Sequence, residues 1–162
     1  MEQIEAWSEF NVAMVGATAA LAGLVIVASS VNIAEIIKSN TLTARLAAAI
    51  AALVLAIIVT GVGLVPDVGI LSYGVVIGVS TLLAAIFQVH ATRVIAHDPD
   101  PEHVARVFKA ALGFAPITAY AAASLALLFA APVGLTIAAV GTLLAIVSAI
   151  VVSWVALVEV LR

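Results

Sequence analysis

The stretch LAAAIAALVLAIIVTGVGLV, Leu46 to Val65, decides the fold. It carries one strongly polar side chain, Thr60, and no charge. At about 1.5 Å of rise per residue it makes a helix about 30 Å long, the thickness of a bilayer's hydrocarbon layer. Outward from it lie four further apolar segments of comparable length: Phe10 to Ile33, Val68 to Ala91, Ala110 to Ala131 and Leu135 to Val158. None alternates polar with apolar residues as a barrel strand does, and lipid offers no outside partner for a backbone amide, so helices are expected. The 162 residues are therefore read as a single all-α transmembrane bundle of five spans. The Pro66 and Pro132 turns close hairpins, and a four-span variant, with one hairpin re-entering instead of crossing, is the rival count.

Composition agrees. With 65% hydrophobic and 9% charged residues, the chain cannot cover itself with a polar shell, so lipid must be its main solvent. All six Lys and Arg residues lie in alternate gaps: Lys38 and Arg45 between spans one and two, Arg93, Arg106 and Lys109 in or beside the 92–109 loop, and Arg162 at the end. The positive-inside rule then puts these gaps and the carboxyl end in the cytoplasm and the amino end outside. The acidic tail of Glu2, Glu5 and Glu9 offers no resistance to translocation, and without a basic leader span one is expected to be retained. Trp7 and Phe10 fall where an outer aromatic belt belongs.

Several function classes are disfavoured. There are no cysteines, hence no disulfide, thiolate metal site or thiol nucleophile. A net charge of −3 without a basic stripe argues against nucleic acid, and no phosphate-cradling glycine loop is present. No charge sits at mid-span, which disfavours proton pumps and voltage sensors. No nucleophile and base share a depth, so neither an enzyme nor a cofactor is expected.

Small residues mark packing surfaces. Gly16, Ala20 and Gly23 share one side of span one, and Gly74 and Gly78 form a GxxxG pair on span three. Such residues let helix backbones approach closely, either inside one protomer or between subunits. On the opposite side of span one, Asn11, Thr18, Ser29 and Asn32 stay within about 60° of one another at about 100° per residue. This polar seam is expected either to make interhelical hydrogen bonds or to line a narrow ion or small-solute path. Tyr73, Ser80, Ala84 and Gln88 share a face of span three.

Glu35 and Glu159 lie in the last turns of helices, where the dipole disfavours a carboxylate. Lys38 and Arg162, three residues further on, and Arg45 and Arg93 at the same level are expected to complete an interfacial ion-pair ring. The loop HDPDPEH, His97 to His103, holds five potential metal ligands, His97, Asp98, Asp100, Glu102 and His103, at a spacing that matches no standard site. Asp100 followed by Pro101 reads better as a helix start, with Arg106 and Lys109 snorkelling to headgroups from the helix that follows. Pro116 should kink that helix.

Two segments, GATAALAGLVIVASSVNIAEI (Gly16 to Ile36) and SWVALVEVLR (Ser153 to Arg162), resemble the first and last spans of small bacterial, chiefly actinobacterial, membrane proteins, with Asn32, Trp154 and Glu159 at the matching positions. The resemblance implies a bacterial inner membrane and carries no activity. The expected partners are the bilayer and either further copies of the chain or another membrane protein. Expected functions are a homo-oligomer with a narrow pathway or an accessory subunit of a larger complex.

Overall fold

The computed structural model describes the backbone of residues 2–97 and 103–160 and the side chains of residues 3–97 and 112–155. The loop residues Asp98, Asp100, Pro101 and Glu102, and the side chains of His103, Arg106, Lys109, Glu159 and Arg162, lie outside the described residues, as do the metal, helix-start and Glu159–Arg162 expectations that depend on them.

The described chain is all helix: α1 Glu2–Glu5, α2 Ser8–Val31, α3 Ile33–Ile36, α4 Asn40–Val62, α5 Ile70–His97, α6 His103–Leu128 and α7 Val133–Val160. Four of these, α2, α4, α5 and α7, are long and apolar enough to cross a membrane, and the described apolar part of α6, Leu112–Leu128, is shorter. The outer surface is apolar, with Leu24, Val27, Leu82, Ile86 and Phe129 among its exposed side chains, as a lipid solvent requires.

Local chemistry sets the ends. The Ser39 hydroxyl accepts from the Leu42 amide at 3.2 Å, so α4 begins at Asn40, a turn and a half before the apolar run. Asn32 interrupts span one, its side-chain amide donating back to the Ala28 carbonyl at 3.1 Å. At the end of α6, the Ala131 amide bonds the Ala126 carbonyl and the Ala130 amide bonds Leu127, both at 2.9 Å, a Schellman closure with Ala130 at φ 55°. Pro132 then stops any continuation.

The helices pack α4 against α2, α5 and α7, and α6 between α5 and α7. Thus α4 is the hub, and its Leu53, Ala56 and Val59 are fully buried. The short α1 folds over one end of the bundle, with Ile4 buried in the same cluster as Val59, Tyr73 and Leu135. Trp7 packs on that cluster and meets the Phe10 ring edge-on at 5.7 Å, so the ring expected at a membrane interface is anchored on protein. Pro116 is fully buried and α6 passes through it as one helix, with the Thr118 hydroxyl donating to the Phe114 and Ala115 carbonyls.

Candidate functional site

The two faces of α2 have different fates. The buried residues of this helix are Asn11, Thr18, Ala22 and Val25, with Ser29 half-buried on the same side, so the polar seam turns inward, mainly toward α4. Its hydroxyls do not bridge helices. Thr18 donates to the Met14 carbonyl at 2.6 Å and Ser29 to Val25 at 2.7 Å, each one turn back on the same helix. Asn11 instead presses its amide against Gly63 of α4, where an added Cβ would come within 2.5 Å of Nδ2. The opposite face stays open. Gly16, Ala20 and Gly23 are exposed, and a Cβ built on either glycine meets nothing within 4 Å. Among the described residues, then, these three pack no helix of their own protomer, which corrects the intraprotomer expectation for span one. Polar side chains took the inner position because lipid exerts no pull that would bury small apolar residues first.

On α5 the small residues do pack within the protomer. A Cβ on Gly74 would lie 3.0 Å from Leu127 Cβ, and one on Gly78 would lie 2.7 Å from Ser124 Oγ. Ser124 donates to the Gly74 carbonyl at 2.8 Å, a helix-to-helix bond that this approach makes reachable. Sequence spacing did not single out the matching seam on α7, where Gly134 receives Leu127 and Gly141 receives the Tyr120 ring. The Thr142 hydroxyl donates to Ala138 at 3.1 Å, so Tyr120, 2.9 Å away, donates to Thr142. Tyr73 donates to the Val59 carbonyl at 3.0 Å and ties α5 to α4.

Two groups of interior polar side chains border small cavities, while Thr18, Thr60, Thr81 and Ser124 bond backbone carbonyls elsewhere. Asn11, Tyr73 and Thr142 border a cavity of about 10 Å³ near the α1 end. Arg45, Gln88 and Ser148 border one of about 20 Å³ toward the other end. Each has room for about one water. Between them stand the buried Ala56, Ile77, Ala84 and Ala145, with Thr81 buried among them and its hydroxyl donating to the Ile77 carbonyl at 2.7 Å. Of the face expected on span three, Tyr73, Ala84 and Gln88 are buried, while Ser80 turns to a crevice between α4 and α5.

The expected ion-pair ring is divided. Lys38 Nζ and Glu35 Oε1 lie 2.7 Å apart on the surface. Arg45 is buried in the bundle, 6% exposed, with its α4 turn facing α5 and α7. Arg93 is exposed and faces the same cleft as Lys38. Of the ring's three described cations, Lys38 and Arg93 therefore share a surface and Arg45 belongs to the core.

Against these features, searches of family models, curated proteins and solved structures find no match to the chain.

Proposed function

We propose that this is a five-span, non-catalytic protein of the bacterial inner membrane, with its amino end outside and its carboxyl end in the cytoplasm, which assembles with a second copy of itself through the open face of α2. Support for the fifth span comes from α6: a helix of 26 residues, about 39 Å at the usual rise, packed between two helices of spanning length. The observation that carries the assembly reading is the open Gly16–Ala20–Gly23 face, on a helix whose other side is already occupied. A glycine inside a helix costs about 1 kcal/mol relative to alanine, and facing lipid alone it gains no contact in return. Against another helix it permits backbone approach.

Native cysteines are absent, so Gly23→Cys gives an unambiguous cross-linking site. Oxidation in native membranes should yield a disulfide-linked dimer, and Val79→Cys, on an exposed part of α5, should not. A product of another mass would identify a heterologous subunit and favour the accessory role. Monomer alone would reject assembly through α2.

The second reading, a narrow path, draws on the two polar cavities on either side of the layer that contains Ala56, Ile77, Thr81, Ala84 and Ala145. In that reading the path runs inside one protomer. Proton or ion flux in liposomes that disappears in Asn11→Leu would favour it, and absence of flux in the parent protein would end it.

A further inference from the structure

The ends of α4 and α5 diverge to form a cleft of about 1000 Å³ on the side that carries the cations. From α5 it receives His90, Arg93 and His97, which recur at helical spacing on one face. From the other wall come Lys38 and the first turn of α4, the positive end of a 23-residue helix. Among the described residues no carboxylate lines the cleft, and Glu35, bound to Lys38, neutralises one of its two permanent cations. Arg93 has no carboxylate partner among the described residues.

This cleft does not end at its polar wall. Ala47 and Phe87 also line a second, apolar crevice of about 430 Å³ that continues between the same two helices. Ala51 and Ala84 contribute small side chains to it, and Val54, Ile58 and Leu83 contribute larger, partly exposed ones. From Ala47 to Ile58 it runs about 16 Å along α4, close to the depth of one leaflet, about 15 Å. A cationic mouth at one interface thus opens into an apolar channel that reaches the bilayer midplane.

We infer that this joined cleft is a binding site for one anionic phospholipid, with its phosphate between Arg93 and the α4 amino terminus and an acyl chain in the crevice. The charge of the mouth selects against zwitterionic headgroups, and the length of the crevice selects against a free phosphate, which would leave the apolar half empty. The site rests on membrane embedding and is independent of assembly through α2.

The test uses the full chain in mild detergent, titrated separately with phosphatidylglycerol, phosphatidylcholine and inorganic phosphate. Bound lipid is counted by native mass spectrometry. Phosphatidylglycerol should remain bound in preference to phosphatidylcholine, and Arg93→Gln should weaken it about fivefold, the scale of one cation at a membrane surface. Val54→Trp, which fills the crevice without touching a charge, should weaken it as well, and Gly16→Leu should leave it unchanged. Equal retention of both lipids, competition by millimolar phosphate, or full binding by both Arg93→Gln and Val54→Trp would each overturn the site. Gly16→Leu that abolished dimerisation but kept the lipid would separate this inference from the assembly reading.

Discussion

At the residue scale, stability depends on a few close approaches. Ala130 holds a left-handed conformation that costs an L residue about 1–2 kcal/mol and costs glycine little. Ala130→Gly should therefore stabilise the protein by about 1 kcal/mol in reversible denaturant unfolding in micelles, after the extra freedom glycine gives the unfolded chain is subtracted. Gly78→Val should act in the opposite direction, since its first added carbon already meets Ser124 at 2.7 Å; the overpacking should cost about 1–3 kcal/mol in the same assay. Ser124→Ala should cost less, about 0.6 kcal/mol, the usual worth of an interhelical hydrogen bond in membrane. Gly74 and Gly78 were legible in the sequence because four residues separate them. Gly134 and Gly141 lie two turns apart, on one face, and a search for the four-residue motif passes over them. Gln88 packing on Gly113 was not legible either, because it depends on the relative heights of α5 and α6, which neither helix encodes alone.

At the element scale, α2 shows what periodicity decides and what it leaves open. Its two stripes lie about 180° apart by helical arithmetic, which the sequence alone establishes. Which stripe faces the bundle depends on what α4 offers, here Gly63 against Asn11. Gly16→Leu together with Gly23→Leu should leave the unfolding midpoint of the monomer unchanged within error, because both positions open onto empty space, while the oligomer measured in lipid nanodiscs shifts to half its mass. A parallel loss of folded monomer would mean that these glycines matter inside the protomer after all. Element boundaries moved for local reasons: α4 starts six residues before its apolar run because Ser39 caps it, and α5 extends to His97 beyond the apolar limit at Ala91. Hydropathy marks where lipid begins, whereas capping marks where the helix begins.

At the scale of the whole molecule, the all-helical architecture and the apolar exterior were legible because composition alone forbids a polar shell. The division of the cations was not. Lys38, Arg45 and Arg93 occupy the same side of the sequence map, yet one of them enters the core through a gap between alanines that only the assembled bundle creates. The proposed orientation has a direct check: with the cysteine-free chain as background, Gln3→Cys should react with an impermeant maleimide added outside spheroplasts, and Ala96→Cys only after lysis. Labelling of Ala96→Cys from the outside, with Gln3→Cys protected until lysis, would reverse the threading, and labelling of both from the outside would refute three crossings between them.

The hub position of α4 also has a temporal meaning. Its Arg45 turn meets Ala149 and Val152 on α7, which leaves the ribosome after the helices it packs against. Until α7 is made, the guanidinium is without that wall and must wait beside water or the insertion machinery. A nascent chain stopped before residue 133 is therefore an unfinished client whose Arg45 turn lacks its α7 wall, the kind of packing defect that membrane proteases recognise, and pulse-chase degradation of such a truncation should outpace that of the full chain.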